Sequence, residues 1–541
     1  EVVTERNADD VITDAYFNLY LVRDGKVSKF TTKNVEQPTV SYEYAYNLAA
    51  NVGETETTFT FDATGAAPAA NIVLMNKDTK EVLATVPAGD VKEGANSAVI
   101  ANEQLPEGEL AWGVEIANQN AARPNMVASV PGFAKARGLV IDNTPTSQFF
   151  GNIYVANCTA NDKYAKGVYI LDHKLNVSEK AYGADGYTAS HTASPYRLGI
   201  NENGVVFISD WNDPTSGIRL LDPANLNANT TEALPSLFKF TKRDNDGRLF
   251  NGDVLLGSST TAAAVYGTGE NTKLYTFDED YNADGATGNV VLRYDLGTAL
   301  TWDKAPSAML GHNMMDNTNV EIVPDEGGLW VAQSRGAGNN ASNCPSFVYI
   351  DNDGNQLFNS GSIADYLNGT NGSALAISKD RKTLVVVDAD SNLAVFSVTW
   401  NDKTPSLKYE YTVKTGGTIT NQIQYDYAGN LYVLNQKCLQ VWALPTDNNN
   451  VTTPAEGTIT IAHDGVENAA TRVYPNPATD VVNVEAAEAI ESIAVFNISG
   501  AMVNASSNVN GNNATINVSE LASGIYFVRI NNGAAVRIIK K

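Results

Sequence analysis

Apolar residues in this chain come in short runs broken by Gly, Asn and Asp, and few stretches show the 3.6-residue period of a helix. Tyr196 to Asp222 shows the cadence most cleanly. Tyr196-Arg197-Leu198-Gly199-Ile200 predicts a short strand, and Asn201-Glu202-Asn203-Gly204 a polar turn. Val205 to Asp210 is a second apolar run, and Gly217 to Asp222 a third that stops at Asp-Pro. Three such strands joined by tight turns cannot bury both faces alone, so they need a copy on either side.

The copies are present. Leu139–Asp142, Gly151–Asn157 and Gly167–Asp172 precede this unit. Ala262–Val265, Lys273–Asp278 and Asn289–Asp295 follow it, then Val320–Val323, Gly328–Ala332 and Ser346–Asp351. Leu375–Ser378, Thr383–Asp388 and Asn392–Phe396 make a fifth unit, and Ile423–Asp426, Gly429–Asn435 and Leu439–Leu444 a sixth. Middle strands start about 50 to 70 residues apart, a spacing that suits propeller blades with long loops. The cadence resembles six-bladed β-propellers of the NHL-repeat and lactonase-like kind over about residues 132–446. The ring is expected to close there, with its first blade completed by chain from both ends of the domain.

Residues 1–131 carry strands of another rhythm. Tyr16–Val22 and Lys26–Phe30 flank Arg23-Asp24-Gly25, a hairpin signal. Thr57–Asp62 alternates, and Asn71–Asn76, Val82–Val86, Ala98–Ile100 and Leu110–Ile116 follow at the spacing of an antiparallel sandwich. The order from Val73-Leu74-Met75-Asn76 to Leu105-Pro106-Glu107-Gly108 and Trp112 resembles the Ig-like domain of flagellar hook-capping proteins, over about residues 45–117. Such a module implies a spacer or stability partner. Beyond the propeller, the polar stretch 447–470 has few apolar residues and is expected to be a linker.

The last segment, 471–541, changes character again. Tyr474-Pro475-Asn476-Pro477 opens it, and Val495-Phe496-Asn497-Ile498-Ser499-Gly500 supplies a turn. Leu521-Ala522-Ser523-Gly524-Ile525-Tyr526 leads into a strand, and the chain ends on Lys540-Lys541. These landmarks resemble the C-terminal sorting domain of type IX (Por) secretion system cargo in Bacteroidetes. The resemblance implies a cargo that crosses the periplasm to the cell surface or the medium, with the type IX machinery as partner. Its sorting motif falls on Tyr474, Pro475, Asn476, Pro477, Gly524, Tyr526, Lys540 and Lys541. The residues agree with a separate all-β unit: prolines restrict the opening, glycines suit the turns, and the strands alternate.

Composition narrows the function. The formal charge of -24 over 541 residues repels nucleic acid and anionic membranes, and no apolar run is long enough for a membrane span. The tail holds five basic and five acidic residues, so the acidic excess lies in the rest of the chain. The opening residues are acidic and polar without a signal-peptide pattern, as a mature or truncated form would also show. Three cysteines do not form a disulfide framework, and the pairing of Cys158 with Cys344 stays open.

Propeller ligands commonly sit over the channel, on the face with the loops between middle and third strands. That face is expected to gather Trp211, Asp210, Arg335, Arg197, Asn157, Asp388 and Asn435, with Ser334, Arg137 and Tyr196 close by. Trp211 offers a platform for a sugar ring, and equally a cover for the blade end. Asp278, Asp280, Asn282 and Asp284 alternate oxygen side chains as calcium loops do, which makes Ca2+ the cofactor to test. No nucleophile elbow, P-loop, Rossmann fingerprint or zinc spacing appears, so no catalytic residue is assigned. The fold class expected is all-β: sandwich, six-bladed propeller, sandwich. The function expected is an exported binding protein with a glycan or surface-protein ligand. A metal-dependent propeller hydrolase or lyase, and a structural or adhesive surface protein, remain the alternatives.

Overall fold

The computed structural model describes residues 10–13, 19–23, 26–30, 40–187, 193–226, 231–279, 281, 289–310, 320–333, 345–363, 366–367, 370–416, 420–463, 472–486, 489–531 and 535–541. Regular structure among them is strand, with a few short 3-10 turns. The repeated runs read from the sequence become a ring because each blade is buried on both faces. In the first blade (Ala136–Ile141, Ile153–Asn157, Gly167–Leu171), Val140, Tyr154, Ala156 and Val168 pack on Leu198, Val206 and Ile208 of the second. Leu139, Ile141, Ile153 and Val155 point the other way, onto Tyr432, Leu434, Leu439 and Val441 of the sixth. Period-two alternation thus supplies one core to each neighbour.

The second blade is Leu198–Ile200, Val206–Asp210 and Gly217–Leu221. The third starts with Thr260–Tyr266, the fourth with Val320–Pro324, the fifth with Thr370–Ile377, and the sixth with Thr420–Tyr425. One apolar cluster fills each of the six blade interfaces. The innermost strands pack in this order around the axis, and the sixth packs back on the first. Gly138 allows the first two blades to approach: a Cβ there would lie 2.1 Å from the Tyr196 carbonyl oxygen. A small three-stranded sheet, Lys242–Arg243, Leu249–Asn251 and Val254–Gly257, is inserted after the second blade and packs with it through Leu249 and Leu256.

The closure differs from expectation. Asn125–Pro131 pairs antiparallel with Cys438–Ala443, so it is the sixth blade, not the first, that takes chain from both ends. The ring therefore begins at Asn125 rather than at 132.

Three antiparallel strands (Ala45–Val52, Glu56–Ala63, Gly94–Ala101) face four (Ala67–Asn76, Val82–Val91, Gly108–Ala117, Asn450–Ile461) across a core that contains Phe59, Leu74, Trp112 and Ile116. Asp10–Thr13, Leu19–Arg23 and Lys26–Phe30 form a sheet of their own, outside this sandwich. The fourth strand of the larger sheet corrects the expectation of a linker over 447–470. Asn450–Ile461 pairs with Gly108–Ala117 from Asn450 opposite Ala117 to Ile461 opposite Gly108. Val451, Thr453, Ile459 and Ile461 are buried, and a register shift between Pro454 and Thr458 absorbs the proline. The propeller is thus inserted between two neighbouring strands of the sandwich.

The tail is a second sandwich, with sheets of four strands each. Its core includes Val484, Ile516, Tyr526, Val528 and Ile538. Asn476 ties the opening to the last strand: its Oδ1 accepts from Ile539 N (2.8 Å), and its Nδ2 donates to Arg537 O (2.9 Å). Gly524 begins the strand that pairs with Ala535–Lys540, while Tyr526 donates its hydroxyl to Ala522 O (2.9 Å). Tyr474 is partly exposed and bonds Glu485.

The inserted topology makes a direct prediction. Truncation after Leu444 should unfold the first sandwich, whereas truncation after Ala462 should leave it and the ring intact, as limited proteolysis would show. In the full chain, Ile461→Ala should cost the sandwich about 2–4 kcal/mol, the range for a buried Ile cut to Ala, read from its own melting transition.

Candidate functional site

An innermost blade strand has one edge that faces the axis with no strand beside it, so its backbone groups need other partners. Side chains of the sixth blade meet this need in the first. Gln422 Oε1 accepts from Leu139 N (2.6 Å), Gln424 Oε1 accepts from Ile141 N (3.0 Å), and Asn421 Nδ2 donates to Ala136 O (2.8 Å). In return Asn143 Nδ2 donates to Tyr425 O (2.9 Å).

Halfway along the channel three blades meet. Arg197 of the second, with no exposed surface, places Nε 2.8 Å from Glu321 Oε2 of the fourth. Its Nη1 donates to Arg137 O (2.7 Å). Gln422 Nε2 of the sixth donates to Glu321 Oε1 (2.8 Å). Burial pushes the Glu321 carboxyl up to about 7, against the opposing pull of Arg197 and Gln422. This bolt joins the second, fourth and sixth blades.

At one end lies a cavity of about 740 Å³. Its walls are the later halves of the inner strands, and its rim the loops that follow them, with Pro454 of the sandwich at one side. Asp325 accepts the Tyr349 hydroxyl (2.7 Å) and lies 3.3 Å from Arg381 Nε. Arg381 also pairs with Glu326 (2.6 Å) and lies 3.8 Å over Trp400. Lys379 is exposed, 4.0 Å over the Tyr427 ring. Tyr266 is partly exposed, and Asn143 Oδ1 is buried without a hydrogen-bond partner. This end opens on the loops between inner and middle strands, the face opposite to the one expected from the sequence.

At the other end Tyr196 is fully buried, with the Arg137 and Arg197 guanidinium groups each 5.0 Å from its ring. Trp211 packs edge-on to Tyr196 at 5.3 Å and donates Nε1 to Glu279 (2.5 Å). Of the residues expected on this face, the structure brings together Trp211, Tyr196, Arg137 and Arg197. Asp210 is buried beneath them, bonded to Ser194 and 3.4 Å from Arg219. Asn157 donates to Thr159 O and Ala165 O, both 2.8 Å, and Asn435 accepts from Lys437 N and Cys438 N, both 2.9 Å. Asp388 accepts from Asp390 N and Asn392 N (2.9 and 2.8 Å). Each of these three shapes its own turn.

Asp278 accepts from Ser258 N (2.6 Å) and bonds the Ser258 hydroxyl, which ties the third blade to the inserted sheet. Ser334, Arg335, Cys344, Asp280, Asn282 and Asp284 lie outside the described residues. Among the described residues no group of three His, Cys, Asp or Glu is placed to hold a metal, and no helix is long and apolar enough to cross a membrane. Sequence reading missed Glu321, Gln422 and the cavity rim. Glu321 and Gln422 are polar residues at the start of apolar inner strands, which was the available signal.

Residues 472–541 match the family model described as a secretion system C-terminal sorting domain. The tail is a sorting domain. It marks the chain for export through the type IX machinery to the cell surface or the medium. No curated protein matches the chain. Among solved structures, the chain is similar to a protein of unknown function from Bacteroides thetaiotaomicron, at 11% identity and TM-score 0.36, over 74% of this chain and 100% of that one. It is similar to a glucose dehydrogenase at 10% identity and TM-score 0.37, over 60% and 99%. For the WD40 propeller domain of Doa1 the values are 11% and 0.32, over 61% and 98%. Likeness at these scores carries no argument, and the ring rests on strand pairing and the six interfacial cores.

The bolt can be tested by pH. The folded state holds the Glu321 proton up to about 7, whereas an unfolded glutamate loses it near its ordinary 4.5. This carboxyl's contribution to stability should be full below 4.5 and fade as pH rises through 7. Glu321→Gln should flatten that slope in chemical denaturation. Glu321→Ala, which leaves Arg197 buried without its carboxylate, should cost the ring about 3–5 kcal/mol.

Proposed function

We propose that this chain is an exported binding protein of a Bacteroidetes bacterium that takes the end of a glycan into the axial cavity of its propeller. The observation that carries the reading is the cavity itself, about 740 Å³, lined by Glu321 and Gln422 of the bolt and rimmed by Tyr266, Arg381, Glu326 and the unsatisfied Asn143 oxygen. That volume suits a mono- or disaccharide unit and is too narrow for the broad face of a protein partner. A ring face on Tyr266 and planar polar groups around it are the chemistry that holds sugars. The first sandwich, Ig-like in this reading, supplies Pro454 to the rim and holds the ring's lower face.

Calorimetry with an oligosaccharide panel tests this. Tyr266→Ala should weaken binding by about 1–2 kcal/mol and Asn143→Ala by about 0.5–1.5 kcal/mol, with Trp211→Ala neutral. Loss on Trp211→Ala with none on Tyr266→Ala would move the site to the opposite mouth.

Export is tested in the native host. Deletion of 472–541 should leave the protein inside the cell with its propeller transition unchanged. Neutral substitution of Arg537, Lys540 and Lys541 should affect export far more than the melting of the tail, because exposed charges add little stability.

A further inference from the structure

Among the described residues, the charged groups that line the axial cavity are ion-paired or hydrogen-bonded, except at Lys379. Glu321 faces Arg197, and Asp325 and Glu326 face Arg381 on the side of the fourth blade. Asp426 accepts from Gly429 N, Asn430 N and the Asn430 amide, each at 2.8 Å, and burial pushes its carboxyl up to about 7. Lys379 follows the inner strand Thr370–Ile377 of the fifth blade and turns toward the sixth, where its Nζ lies 4.0 Å from the centre of the Tyr427 ring. No carboxylate among the described residues pairs with it. Lys379 is exposed, yet the walls around it hold its ammonium below the usual range.

Tyr427 is itself held in place. Its hydroxyl donates to Thr452 O of the first sandwich (2.7 Å), and its ring packs edge-on to Phe150 at 5.1 Å. The ring takes one side of the ammonium and leaves the remaining N–H groups for a ligand. Lys379 and Tyr427 also line a second cavity, about 370 Å³, between the sixth blade and the start of Asn450–Ile461, with Asn448 and Asn450 exposed on its wall. A cation that has already lost part of its hydration, and has no counter-charge, gains more from an anion than a fully hydrated one does.

We propose that the glycan taken by the axial cavity, on the reading given above, is acidic, and that Lys379 receives the carboxylate or sulfate of its first or second unit. A terminal unit in the axial cavity places its neighbour beside Lys379 and the second cavity, whose volume holds one further sugar ring.

Titration calorimetry of the full chain tests this with trigalacturonate, a sulfated disaccharide, and cellotriose as the neutral control. Wild-type protein should bind at least one acidic saccharide about fivefold or more tightly than cellotriose, and about 0.5 M NaCl should narrow that difference. Lys379→Gln should weaken acidic binding by about fivefold or more with cellotriose binding unchanged, and Lys379→Arg, which keeps the charge, should lose less. Tyr266→Ala should weaken acidic and neutral binding alike, and melting curves report whether each variant is folded. Three results would overturn the acidic ligand and leave the cavity reading standing, provided Tyr266→Ala still weakens binding. They are equal binding of cellotriose, unchanged acidic affinity in folded Lys379→Gln, and equal loss in folded Lys379→Gln and Lys379→Arg. No saccharide binding up to roughly 10 mM, or binding indifferent to Tyr266→Ala, would overturn both. If Lys379→Gln does not fold, the wild-type preference and its loss in salt decide.

Discussion

The unpaired inner edge of each blade is the constraint on which this molecule depends. Six strands turn an edge toward one axis, and a ring of this size has no room there for another strand. Where the chain's two ends of the ring meet, the need is met twice. Asn125–Pro131 joins the sixth blade at its outer edge, and Asn421, Gln422 and Gln424 bond the backbone of the first blade at the inner one. Hydrogen bonds of this kind each contribute about 1 kcal/mol, so the seam is held by their number and by the core beneath them. That core, from Leu139 and Val155 to Leu434 and Val441, makes the seam continuous with the other five interfaces.

The same economy of edges explains the sandwich. Gly108–Ala117 would present an open edge if the chain did not return, and Asn450–Ile461 covers it. Between the two strands stands the whole ring, so sandwich and propeller are held together by topology as well as by contact. The contact is aromatic: Tyr44 lies 4.9 Å from Phe150 and 6.0 Å from Tyr427. Tyr42 exchanges backbone bonds with the Asn430 amide, 2.8 and 2.7 Å, and donates its hydroxyl to Leu444 O (2.5 Å). Asp426, whose carboxyl burial pushes up to about 7, orients that asparagine (2.8 Å). The ion pair between Glu93 and Lys174 at the surface adds little beside this.

Charge is distributed unevenly along the axis. The bolt sets Arg197 against Glu321, and the cavity rim sets Arg381 against two carboxylates, Asp325 and Glu326. At the other mouth Arg137 donates to the Tyr196 hydroxyl (3.0 Å). The two ends of one channel therefore differ in chemistry although the same six strands build both.

Sequence by itself determined the local events. Short apolar runs ending in turn residues marked the strands of all six blades, because a blade buried on both faces needs apolar residues in both registers. The Tyr474–Pro477 opening and the Gly524–Tyr526 strand entry marked the tail, because restricted prolines and a glycine and tyrosine at a strand start are local signals. Tertiary structure decided what depends on distant partners. Asn450–Ile461 read as a linker because its threonines, proline and glycine leave few apolar positions, and the strand that completes it lies more than three hundred residues earlier. Asp388, Asn157 and Asn435 read as ligands because a polar residue at a strand end has the same signature whether it faces a ligand or closes its own turn. Glu321 and Gln422 were visible only as polar residues in apolar strands. Their meeting with Arg197 follows from ring closure, which no segment of the chain encodes alone.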